Sequence, residues 1–260
     1  MPSLPVALTI AGSDPSGGAG LQADLKTFHQ FGAYGEAVVT LITVQNTRGV
    51  TRVQTLSPEL VSEQIQAVLE DIPPLAAKTG ALGSREVVEA VAKLAAHFQF
   101  PLVVDPVLIS KHGTKLLDED AVRVLATELL PKAFLITPNL EEAEVLTGQR
   151  ILNVNDMRHA ASALATLGGR NVLVKGGHLE GDAVDVLRLE DGTFRHYTAP
   201  RLRTHHTHGS GCTLSAAIAA ELARGTELEE AVARAKQFIT EAIRSAPRLG
   251  GGAGPLNHFA

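Results

Sequence analysis

Short apolar runs alternate with stretches of helical apolar spacing along most of the chain. Pro5-Val6-Ala7-Leu8-Thr9-Ile10-Ala11 reads as a buried strand over 5–11. Further strands are predicted over 37–44, 75–79, 101–105, 133–137 and 171–175. Helical spacing falls between them, over 21–31, 58–70, 84–97, 118–130, 139–147 and 155–168. Leu102-Val103-Val104 and Val172-Leu173-Val174 are apolar at every position, as strands covered on both faces are. The alternation predicts an α/β fold, with a mostly parallel central sheet and helices on both faces.

The period changes near the C-terminus. Two β-rich runs, 183–189 and 193–198, flank Glu190-Asp191-Gly192 and read as an antiparallel hairpin at one edge of the sheet. Two closing helices follow, over 211–224 and 227–245, with Thr226 and Glu229 spaced as a capping box for the second. Gly250-Gly251-Gly252-Ala253-Gly254-Pro255 carries no core pattern and is expected to run as a loop or extended arm. Residues 1–260 show no internal repeat and no linker, so one domain is expected.

Polar residues sit where the predicted strands end. They are Gly12, Gln45, Thr79-Gly80, Asp105, Asn139 and Lys175. Ligands of open parallel sheets bind at the carboxyl ends of the strands, so these positions are expected to share one cleft. Thr207-His208-Gly209-Ser210-Gly211-Cys212-Thr213 then leads into an alanine-rich helix. A glycine turn at a helix N-terminus aims several N–H groups at one spot, which favours an anion such as phosphate. The same field is expected to lower the pKa of Cys212.

Composition narrows the field. Net charge is −5, from 23 basic and 28 acidic residues, with no basic footprint for nucleic acid. Cys212 is the only cysteine, which fits a reducing, cytoplasmic address. No run of about 18 apolar residues suggests a membrane span. His205, His206 and His208 match no standard zinc spacing. His97, His112 and His159 read as surface residues.

Gly18-x-Gly20-x-x-Ala23 fits a relaxed dinucleotide fingerprint, so a dinucleotide-dependent oxidoreductase is one reading. Against it, the loop from Ala11 to Gly18 is long, and the next strand ends at Gln45 where a ribose-binding acid belongs. The wider stretch Leu8-Thr9-Ile10-Ala11-Gly12-Ser13-Asp14-Pro15-Ser16-Gly17-Gly18-Ala19-Gly20-Leu21-Gln22-Ala23-Asp24 resembles the opening of the hydroxymethylpyrimidine/phosphomethylpyrimidine kinases of thiamine biosynthesis. Gln45-Asn46-Thr47, Asp105-Pro106-Val107, Thr137-Pro138-Asn139-Leu140-Glu141-Glu142-Ala143, Lys175-Gly176-Gly177-His178 and His208-Gly209-Ser210-Gly211-Cys212-Thr213 resemble its later blocks, in order.

That resemblance implies a ribokinase-like three-layer sandwich, a homodimer, and ATP-dependent phosphorylation of an aminopyrimidine hydroxymethyl group and then of its monophosphate. It implies substrate contacts from Gly12, Asp24, Val44, Gln45, Ala81 and Val107. ATP contacts fall to Asn139, Lys175, Thr207, Gly209, Ser210 and Gly211, and Mg²⁺ to Asp105 and Glu142. Catalysis falls to Cys212, Gly209, Gly211 and Lys175, with the thiol where many ribokinase-like enzymes place an aspartate base. The P-loop G-x-x-x-x-G-K-[ST] is absent, so the glycine turn and Lys175 are the candidates to hold phosphate. The Gln45 carboxamide matches an exocyclic amine beside a ring nitrogen; the family often has glutamate there, and commonly methionine at the position of Ala81. A pyridoxal kinase on the same scaffold is the closest alternative. Some such kinases use a second cysteine after the Asp-Pro-Val motif, where this chain has Ser110.

Overall fold

The computed structural model describes residues 4–109, 113, 115–177, 179 and 181–260. His112, His178 and Ser110 lie outside the described residues. Nine strands among the described residues form one sheet in the order β3-β2-β1-β4-β5-β6-β7-β8-β9. The parallel part comprises β1 (Val6–Ser13), β2 (Tyr34–Asn46), β4 (Ala76–Thr79), β5 (Leu102–Val104), β6 (Leu135–Ile136) and β7 (Asn171–Lys175).

In the central strands, successive apolar side chains divide between two cores. Leu8 and Ile10 enter one hydrophobic core while Ala7 enters the other. Ala77 and Ala76, Val104 and Val103, Ile136 and Leu135, and Val172 and Leu173 divide in the same way. Successive side chains point to opposite faces, so a strand covered on both faces must be apolar throughout.

One face is covered by α2 (Pro58–Asp71), α3 (Arg85–Ala95), α4 (Glu119–Val124), α5 (Leu140–Thr147) and α6 (Val154–Thr166). The other carries α1 (Gly20–Gln30), α7 (Ser210–Ala223) and α8 (Leu228–Arg244). Helix α7 is buried nearly all round, which suits an alanine-rich helix between the sheet and its neighbours. Side chains of Ser57, Ser84, Asp118 and Asn153 accept first-turn N–H bonds at the starts of α2, α3, α4 and α6.

The hairpin of β8 (Ala183–Arg188) and β9 (Phe194–Ala199) forms one antiparallel edge, as expected. A second antiparallel edge was not foreseen: β3 (Gly49–Thr55) folds back on β2. The helix expected over 118–130 is divided, with α4 continuing into a π-helical turn at Leu125–Leu129 and a 3₁₀ turn at Leu130–Lys132.

One local expectation is corrected. Thr226 does not cap α8: its hydroxyl donates to Glu221 Oε2 at 2.6 Å, and Glu229 takes Arg195 at 2.9 Å. The glycine-rich tail runs as a loop, as expected, and is pinned to the domain. His208 N donates to Gly254 O, Leu256 is buried in the α1/α7/α8 core, and His258 pairs with Thr213 Oγ1. The tail thereby braces the start of α7.

Candidate active site

The carboxyl ends of the parallel strands open into a cavity of about 660 Å³. Gly12, Gln45, Gly80, Asp105, Asn139 and Lys175 all line it, so strand-end residues expected to converge do so. Thr79 is the exception; it is buried beneath the floor. Ala81, Val107, Glu142, Thr207, Gly209, Ser210, Gly211 and Cys212 complete the predicted lining.

The glycine turn stands at the centre. Gly209 takes the left-handed conformation, φ 81°, and precedes α7 with no side chain capping the helix. Ser210 N donates to Thr207 O and Thr213 N to Gly209 O, so the first-turn amides that the helix start offers an anion are those of Gly211 and Cys212. A Cβ at Gly211 would lie 3.2 Å from Lys175 Nζ and 3.8 Å from Asp105 Oδ2. The missing side chain therefore leaves open the space between the turn, the cation and the carboxylate.

Lys175 Nζ donates to Asp105 Oδ1 at 2.8 Å. Thr137 Oγ1 and Ser215 Oγ approach the two Asp105 oxygens, each at 3.3 Å. Burial alone lowers the Lys175 pKa, but Asp105 and Glu142 outweigh it and hold the ammonium charged. Asn139 and Glu142 form a complete capping box at α5: Glu142 N donates to Asn139 Oδ1 at 2.9 Å, and Asn139 N to Glu142 Oε2 at 2.8 Å. Burial pushes the Glu142 carboxyl up to about 7, with Lys175 opposing and Asp105 reinforcing.

Three expectations change. Asp24 neither faces the cavity nor meets solvent. It is fully buried, bonded to Lys78 Nζ at 3.0 Å and to Thr9 Oγ1 at 2.7 Å. Val44 is 55% exposed and points away from the cavity, because neighbouring residues on β2 alternate between faces. The Cys212 thiol is pushed up to about 11, not down: burial dominates, Lys78 opposes, and Asp24 and Asp105 reinforce it. Two buried carboxylates and desolvation outweigh the helix N-terminus.

Lining residues not assigned in advance include Asp14, Thr43 and His208. Thr43 Oγ1 donates to Ser13 O at 2.9 Å and ties β2 to the first glycine loop. His208 Nε2 lies 2.8 Å from Asp14 Oδ2 and 3.1 Å from the Gln45 amide nitrogen. The histidines thus divide: the rings of His205 and His206 meet at a tilt of 43°, and His208 joins the site. His97 and His159 are exposed.

Comparison with known proteins accords with this geometry. The phosphomethylpyrimidine kinase family profile matches residues 14–257. A bifunctional thiamine-biosynthesis protein of Geobacter sulfurreducens is 51% identical over 97% of this chain, which spans 52% of that longer relative. A Streptomyces coelicolor hydroxymethylpyrimidine/phosphomethylpyrimidine kinase is 50% identical, covering 98% of this chain and 94% of its own. The crystal structure of Bacillus subtilis pyridoxal kinase with ADP superposes with a TM-score of 0.90 at 38% identity, covering 98% of each chain. A kinase scaffold, a cavity at the strand ends lined by the glycine turn and a near full-length match agree: the chain belongs to the phosphomethylpyrimidine kinase family.

Proposed function

We propose that this enzyme uses ATP to phosphorylate 4-amino-5-hydroxymethyl-2-methylpyrimidine and then its monophosphate, giving the diphosphate. The observation that carries this reading is the open space at Gly211, walled by uncapped helix amides, Lys175 and Asp105. Phosphoryl transfer needs charge neutralisation and alignment more than covalent help from the protein. Lys175 supplies a fixed cation, and the Gly209–Cys212 turn supplies N–H dipoles where charge develops. Gln45 lines the same cavity and reads the ring.

Asp105 and Glu142 are the residues that would hold Mg²⁺. The fit rests on their chemistry: Asp105 and Glu142 are two buried carboxylates lining one cavity, the oxygen donors that Mg²⁺ takes. When bound, Mg²⁺ neutralises phosphate charge. Cys212 lines the same cavity beside the turn and approaches the acceptor hydroxyl as a neutral thiol. The acceptor proton leaves late in a loose transition state, so positioning dominates over proton abstraction.

Pyridoxal phosphorylation is the second reading, favoured by the likeness to Bacillus subtilis pyridoxal kinase. The single cysteine and Gln45 support the pyrimidine. A homodimer in the cytoplasm is also proposed; Ile42 and Val44, exposed on the β2–β3 edge, offer an apolar face for a second copy. Incubation with ATP and the hydroxymethylpyrimidine, followed by mass spectrometry, tests the main reading. Sequential mono- and diphosphate products are expected; ADP release without either product would overturn it.

A further inference from the structure

We infer that Asp14 and His208 are positioning residues that orient the Gln45 carboxamide and so set the preference of the site for an aminopyrimidine. This rests on the function proposed above and deepens it.

Asp14 is saturated with donors. Its Oδ1 accepts from Ser16 N at 2.9 Å and Ser16 Oγ at 2.7 Å. Its Oδ2 accepts from Ala19 N at 2.9 Å and meets His208 Nε2 at 2.8 Å. Burial opposes ionisation, but the bonds from His208 and Ser16 outweigh it and keep this carboxyl below its usual range. An ionised carboxylate only accepts, so the imidazole nitrogen facing it carries the proton. His208 Nε2 is therefore a donor.

The Gln45 amide end lies 3.1 Å from that same nitrogen. Two N–H donors do not attract each other. The two ends of a carboxamide are nearly isosteric, and the hydrogen-bond network decides which faces which. Beside a protonated Nε2 the carbonyl oxygen belongs on the His208 side, as the longer arm of a three-centre bond whose shorter arm goes to Asp14 Oδ2. The oxygen then keeps one lone pair for the exocyclic amine of the substrate, and the NH₂ turns to the ring nitrogen. Without this anchor the carboxamide turns freely and does not distinguish the order of donor and acceptor.

The ring is also held sterically. His208 is buried, and a Cβ at Gly18 would lie 2.6 Å from its Cδ2. Gly18 has no positive φ, so its backbone accepts alanine, whose Cβ presses on the imidazole and, at 3.2 Å, on Pro255 Cβ. Because His208 immediately precedes Gly209, ring recognition and the phosphate turn share one support.

The test compares the aminopyrimidine with its analogue lacking the 4-amino group. The wild type is expected to prefer the amino compound by at least about 10²-fold in kcat/KM, since a polar site rejects a ligand that leaves it unpaired. His208→Met removes the donor and should reduce that preference below about tenfold. KM for the pyrimidine should move far more than KM for ATP. His208→Gln, which keeps a donor near Nε2, should retain most of the preference. Gly18→Ala, with its melting temperature measured, serves if His208→Met does not fold, and should also erode the preference. An unchanged preference in the folded variants, or an equal loss in His208→Gln, overturns the positioning role. A wild type inactive on the aminopyrimidine overturns the function itself.

Discussion

Lys175 Nζ lies 2.8 Å from Asp105 Oδ1, and the carboxylate of this pair is 2% exposed. Removing one partner of a buried pair strands the other charge, at a typical cost of about 3–5 kcal/mol. Lys175→Met and Asp105→Asn should each destabilise the protein and lower kcat by at least about 10²-fold. The double variant should recover much of the stability and none of the activity. Denaturant melts and turnover on the three variants check this. Restored turnover in the double variant would deny the pair a role in phosphoryl transfer.

The two glycines of the turn have different jobs. A Cβ at Gly209 would fall 1.8 Å from Gly18 O, at a φ of 81°. Gly209→Ala should therefore damage the fold itself. A Cβ at Gly211 meets side-chain ends alone, Lys175 Nζ at 3.2 Å and Asp105 Oδ2 at 3.8 Å. Gly211→Ala should fold near normally, and Gly211→Val should lose ATP binding by filling the gap. Calorimetric melting and nucleotide titration separate the two; equal melting losses would contradict the division.

Cys212 is the only thiol, so its reactivity can be read by intact mass. With the thiol pushed up to about 11, the rate of alkylation by iodoacetamide should still be climbing at pH 9. A plateau near pH 7 would restore the thiolate inferred from the helix N-terminus. With a neutral thiol, Cys212→Ser should leave turnover within about tenfold of the wild type, and a loss of about 10²-fold or more would restore a general-base role.

Glu142 sets a pH dependence of stability. Its pKa is raised from 4.5 to about 7, so the folded state holds the proton more tightly than the unfolded state. That contribution is complete below about pH 4.5 and is lost as pH rises through about 7. Glu142→Gln mimics the protonated form and can keep the bond from Asn139 N. The variant should melt above the wild type at pH 8, with the gap closing below pH 4.5. A gap that persists at low pH would point to a cause other than this carboxyl.

What was legible in the sequence follows the range of the interactions. Strand β7 matches its predicted span, because Val172-Leu173-Val174 is apolar on both faces and Gly176 ends the run. The strand-end residues were legible because parallel sheets place ligands there. Strand β3 was not, since Gly49-Val50-Thr51-Arg52-Val53 is half polar and lies on an exposed edge. Asp24 was misplaced because its partner, Lys78, lies 54 residues away. Cys212 was misread because the helix field is local in sequence, while its burial and the nearness of Asp24 and Asp105 come only with the fold. The tail hid its role for the same reason: Leu256 and His258 find their partners in distant helices.

The most direct test of the central claim is competition between the two rival rings at fixed ATP. Purified enzyme is given 4-amino-5-hydroxymethyl-2-methylpyrimidine and pyridoxal, and kcat/KM is measured for each. The arrangement of Gln45, His208 and Asp14 predicts a clear preference for the pyrimidine. A preference for pyridoxal of tenfold or more, about 1.4 kcal/mol in transition-state binding, would contradict it.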